Sequence, residues 1–123
     1  MKMNVNTIDV NGVAYVRADS VIDKAESMDG MPYVICRTYS AGVFAGYLEF
    51  QDGKNVELRK ARRIWYWDGA ASLSQLAVDG TSKPDKCKFP CEVERVALTE
   101  AIEIIQTTEK SRLSIQGVPL WTK

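Results

Sequence analysis

Histidine is absent from this chain. Its absence removes the commonest general base, the commonest zinc ligand and any Ser/His or Cys/His pair. Net charge is missing too, because 16 basic residues offset 16 acidic ones. Long nucleic acids and membrane surfaces are bound through an excess of Lys and Arg, so neither is an expected partner. No apolar run approaches the roughly 18 residues of a membrane span. Cysteine is sparse, with only Cys36, Cys87 and Cys91. An odd number with no secretory leader ahead of it points to inert thiols in a reducing cytoplasm. Cys87 and Cys91 have C-x3-C spacing, but structural zinc needs two further ligands and only Cys36 remains, so no metal is expected. Walker loops, G-x-G-x-x-G turns and nucleophile elbows are missing as well. The expectation is a protein that is not an enzyme and carries no cofactor.

What is present is the composition of one globular domain: 123 residues, 46% hydrophobic and 26% charged. Alternation on both sides of Asn11-Gly12 predicts a β-hairpin over residues 6–17. "ADSVIDKAESMDGM" follows, with Asp19 or Ser20 as a cap and a stop at Asp29-Gly30. It reads as a short helix or a linker, setting residues 1–30 apart from a core domain over 31–123.

"PYVICRTY" has the β-branched and aromatic content of a strand, and Ser40-Ala41-Gly42 turns the chain. "VFAGYLEF" and "NVELRK" then pair around Asp52-Gly53. A two-residue Asp-Gly turn would set Leu48 opposite Glu57 and mix the faces. A three-residue loop with Gly53 left-handed aligns Phe44, Gly46, Leu48 and Phe50 with Val56 and Leu58, and is the predicted register.

"ARRIWYW" continues as strand, with Arg62, Ile64 and Tyr66 on one side and Arg63, Trp65 and Trp67 on the other. Neither side is polar, so both are expected to be covered. Ser72 and Gln75 form a capping box for a helix that Gly80 ends. "CEVERVALTEAIEII" fits two strands meeting near Thr99, although residues 99–105 alone also fit a helix. Thr107 or Thr108 caps a last helix through Ile115, Gly117 stops it, and "VPLW" packs back extended. The fold class is α+β, a twisted antiparallel sheet with two short helices and an N-terminal hairpin arm.

The most specific local arrangement is strand, tight turn and capped helix, with two arginines leading. Helix N-termini and arginine forks suit phosphate, and Trp or Phe faces stack on bases. The same residues equally suit an ordinary core strand with surface arginines, and both readings stand on pattern alone. Lys86, Lys88 and Phe89 make a second small cationic-aromatic spot, whose alternative is a solvated loop with Phe89 in the core. The acidic pairs Glu92/Glu94 and Glu100/Glu103 have nothing opposite them and read as surface charge.

"PYVICRTYSAGVFAGYLE", "ARRIWYWDGAASLSQLAVDG", "CKFPCEVERVALTEAIEII" and "VPLW" resemble a family of small phage and prophage proteins. They also resemble the first family of Thoeris anti-defence proteins, sponges for cyclic ADP-ribose-type signals. The similarity spans roughly residues 31–121. It implies non-catalytic sequestration of a glycocyclic ADP-ribose made by host TIR-domain enzymes. It also implies a homo-oligomer, dimer or higher, in the cytoplasm of an infected bacterium, with cyclic oligonucleotides as further ligands. By the same resemblance Phe89 and a polar residue about ten positions later, here Thr99 in place of asparagine, hold the ligand, and Arg62 or Arg63 meets phosphate. Thr99 keeps a hydroxyl but lacks the amide's paired donor and acceptor, which bears on which ligand is held. Candidate ligand-binding residues are Arg62, Arg63, Trp67, Ser72, Phe89 and Thr99. The rival expectation is a phage inhibitor or structural protein that binds a host protein through the aromatic strand.

Overall fold

The computed structural model describes residues 7–10, 13–16 and 24–122, the first two spans as backbone. β1 (Thr7–Val10) and β2 (Val13–Val16) pair antiparallel, as the alternation predicts. The Asn11-Gly12 turn and the Asp19 or Ser20 cap lie outside the described residues. From Lys24 onward the helix-or-linker segment is a strap laid on the core. Ala25 N donates to Thr107 O at 3.0 Å, Glu26 N donates to Glu109 Oε1 at 2.6 Å, and Asp29-Gly30, both at positive φ, turn the chain between Met28 and Met31.

β3 (Tyr33–Thr38), β4 (Val43–Asp52), β5 (Asn55–Arg63), β6 (Val93–Leu98) and β7 (Ala101–Gln106) form one antiparallel sheet of order β6-β5-β4-β3-β7. β6 and β7 are consecutive in the chain, run in one direction and sit at opposite edges. They act as a single strand bent at Thr99-Glu100 that pairs with β5 through β6 and with β3 through β7, and so closes the sheet into a ring of pairings. Tyr39 N on Glu100 O (2.9 Å) and Ala101 N on Lys54 O (3.1 Å) fasten the bend to both hairpin corners. A ring closed by a bent strand protects edges that an open sheet would expose.

Each face of the ring buries its own cluster. Val34, Cys36, Phe44, Val56, Leu58, Ala61, Leu98 and Ala101 fill one side. On the other, Tyr33, Ile35, Ala45, Tyr47 and Ile64 pack under the helices α1 (Leu73–Asp79) and α2 (Glu109–Gln116), against Leu76, Ala77, Ile115 and Phe89. Ser72 Oγ accepts from Gln75 N at 3.1 Å while Gln75 Oε1 takes Ala71 N at 2.8 Å, so the predicted cap forms. Thr108 caps α2 through Ser111 N. Gly80 ends α1 at φ 73°, where a Cβ would drive into Ser114 of α2, so only glycine permits the two helices to approach there.

Two readings of the sequence are corrected. The β4–β5 turn holds Gly53 and Lys54 between paired Asp52 and Asn55. Leu48 faces Leu58 as predicted, but a bulge at Glu49 sets Phe50 opposite Glu57 and leaves it exposed. The strand through "ARRIWYW" stops at Arg63. Ile64 N takes the last β4 acceptor, Val43 O (2.8 Å), and beyond Val43 the partner turns away at Gly42. With no ladder left, Trp65 and Tyr66 hydrogen-bond to Lys88 O and stay 63% and 49% exposed, so the expected cover is absent at these two residues, while Ile64 is buried and Trp67 packs against the helix-side cluster.

Candidate functional site

Strand periodicity sends Arg62 and Arg63 to opposite sides of β5. Arg62 is only 7% exposed and points under the helices. Its Nε donates to Pro90 O (2.9 Å), Nη1 to Ile115 O (2.9 Å), and Nη2 to Phe89 O (3.0 Å) and Pro119 O (3.2 Å). The guanidinium also lies 5.4 Å from the Phe89 ring centroid. Four backbone carbonyls from three separate segments thereby share one cation. No carboxylate pairs with it among the described residues, and burial pushes its pKa below the ordinary arginine value. Arg62 clasps the 89–90 loop, the end of α2 and the closing "VPLW" segment together.

Arg63 is exposed on the other side. Its Nη1 donates to Ala41 O at 2.5 Å, which orients the fork, and its guanidinium carbon sits 4.4 Å over the Phe44 ring. It has no ion pair among the described residues. A groove of about 400 Å³ lies beside it, walled by Phe44, Ala61, Pro90, Cys91, Val93, Val96 and a second cation, Arg95. Phe44 and Ala61 belong to the ring's inner cluster, so the groove opens at the mouth of the ring. Barrel mouths with a few convergent polar groups are ordinary ligand sites. Arg95 reaches Glu49 at 3.2 Å, and Glu49 also meets Arg59 at 3.6 Å. Such exposed pairs are weak and can be exchanged for a stronger anion.

The other sequence candidates scatter. Phe89 is fully buried under Arg62 and offers a ligand no face. Trp67 packs half-buried against the helix-side cluster. Ser72 is engaged as the α1 cap. Thr99 is exposed at the β6–β7 bend, and no hydrogen bond among the described residues joins it to Arg62, Arg63 or Phe89. Of these candidates, Arg62 and Phe89 are brought into contact.

Sequence reasoning missed Phe44 and Arg95 in the groove, since the β4–β5 register sets Phe44 opposite Arg63 and the pairing of β6 with β5 brings Arg95 alongside, and local patterns fix neither. The cationic-aromatic spot expected at Lys88 forms with other partners: its Nζ lies 5.7 Å from the Tyr66 ring and 5.8 Å from the Trp121 ring, while Phe89 is buried. No group of three His, Cys, Asp or Glu residues able to hold a metal ion occurs among the described residues. No described helix is long and apolar enough to cross a membrane.

No curated protein and no solved structure matches the chain. Residues 31–115, from just before β3 into α2, match the family described as Domain of unknown function (DUF6948). That span covers the whole ring and both arginines, and the chain therefore belongs to the DUF6948 family.

Proposed function

We propose that the protein is a non-catalytic sponge that sequesters a small phosphate-bearing nucleotide signal of the cyclic ADP-ribose type, with Arg63 and Arg95 meeting its phosphates. The carrying observation is Arg63: an exposed guanidinium, oriented by one carbonyl, seated on an aromatic ring, free of any acid among the described residues, and facing a groove. Pre-orientation of this kind lowers the ordering cost of binding and leaves most of the fork for a phosphate. Sequestration requires affinity and no turnover, so Arg63, Arg95 and Phe44 suffice in kind. Cyclic oligonucleotides are the second ligand class, and an oligomer that sets two grooves side by side would enlarge the site.

The test is thermal stability against a panel of cyclic nucleotides and ADP-ribose isomers. A ligand at 100 times its dissociation constant adds about 2.7 kcal/mol. Heating the complex should then release the nucleotide chemically unchanged; an altered product would indicate an enzyme, and a flat response across the panel would reject the sponge.

One observation favours a second reading. Trp65, Tyr66 and Leu120 are exposed around Lys88 and Trp121. Aromatic clusters of this kind are typical anchors for a protein partner. A host polypeptide that co-purifies with the protein, and is lost with Trp65→Ala, would support that reading.

A further inference from the structure

A separate cavity of about 280 Å³ lies on the helix side of the Pro90–Cys91 segment, lined by Tyr33, Arg62, Glu92, Gln116, Val118 and Leu120. Cys91 borders both this cavity and the Arg63 groove, so the two are divided by one stretch of chain.

Tyr33 is 2% exposed, and its hydroxyl has no hydrogen-bond partner among the described residues. Its ring packs edge-on against Tyr47, with centroids 5.0 Å apart, and Tyr47 takes the donors of Arg112 and Gln116 for itself. Tyr33 lines this cavity together with Glu92 and Arg62, and its phenol is in electrostatic reach of both. Burial holds that phenol in its protonated, donating form. A buried hydroxyl left without a partner costs free energy, and such groups are normally satisfied.

Arg62 adds a second donor. A guanidinium has five N–H groups. Four are spent on carbonyls, and one on Nη1 remains. Glu92, an acceptor and a negative charge, lines the same cavity. An anion would meet Glu92 unfavourably, whereas a neutral group carrying an acceptor beside a donor satisfies donors and acceptor alike. Val118 and Leu120 supply an apolar flank suited to a ring.

We infer that this cavity binds a small neutral ring compound with an amide or lactam edge, its carbonyl accepting from Tyr33 and Arg62 and its N–H donating to Glu92. The site is independent of the anion groove and needs no phosphate.

The experiment is ligand-observed NMR and calorimetric titration of the full chain with benzamide and 2-pyridone, alongside benzoate as the anionic control. Saturable binding of an amide probe is expected, with benzoate at least tenfold weaker. Tyr33→Phe, which keeps the ring and its packing, should weaken the amide at least tenfold while the melting temperature holds or rises. Glu92→Gln should narrow the gap between amide and benzoate, and Arg63→Ala should leave amide binding unchanged even where it abolishes nucleotide retention. No saturable binding of either amide at millimolar concentration would overturn the inference, leaving water as the phenol's partner. Equal binding by wild type and Tyr33→Phe would overturn it too.

Discussion

Arg62 and Arg63 are consecutive and chemically identical, yet the two sides of β5 use them for opposite purposes. On the helix side the guanidinium is buried and nearly saturated by main-chain carbonyls. On the groove side it is exposed, held by one carbonyl and one aromatic ring. The difference teaches that an arginine pair in sequence is not a binding motif by itself. What decides is which carbonyls the fold leaves unpaired nearby, because a buried acceptor claims a cation before any ligand can.

The largest effect expected from breaking this contrast is at Arg62. Arg62→Ala removes one side chain and leaves four carbonyls without their donor, three segments losing a common clasp. A loss of about 3–5 kcal/mol is expected in urea unfolding, in the range for breaking a buried charged network. Next comes Gly80→Ala, which forces a residue with a Cβ into φ 73° and against Ser114. About 2–3 kcal/mol is expected, again read by urea unfolding. Ser72→Ala removes the α1 cap and should cost about 1 kcal/mol, with nucleotide retention intact, since Ser72 is assigned to the helix and not to the groove.

Arg63→Ala is the mirror of Arg62→Ala: a change under about 1 kcal/mol in stability, as for an exposed cation–π contact, with nucleotide retention lost. The smallest effect is in the acid limb. Glu109 is held at about 2, down from 4.5, by the Arg112 guanidinium and the backbone N–H of Glu26. A depressed carboxylate pKa contributes stability that is complete above about pH 4.5 and is lost as pH falls toward 2. Glu109→Gln should flatten the stability profile in that window and free the strap, detectable as faster amide exchange at Glu26, while both arginine regions stay as they were.

The sequence made local features legible because they are closed within a few residues. The Ser72–Gln75 cap, the Gly80 and Gly117 stops, and the meeting of two strands near Thr99 all follow from short-range chemistry. Period two correctly parted Arg62 from Arg63, and Ile64 from Trp65. It could not tell where the strand would end, since that depends on Val43 being the first residue of β4. Nor could it show that β6 pairs with β5, which brings Arg95 to the groove, or that the β4–β5 register sets Phe44 opposite Arg63. Phe50 illustrates the same limit, because a single bulged residue at Glu49 reversed its face.

The account rests most directly on Arg63 as the ligand-facing cation. Calorimetric titration of wild type and Arg63→Ala with cyclic ADP-ribose, each checked for an unchanged melting temperature, tests it. The account predicts a measurable affinity in wild type that falls at least 100-fold in the variant. Equal affinity in the two proteins would contradict it.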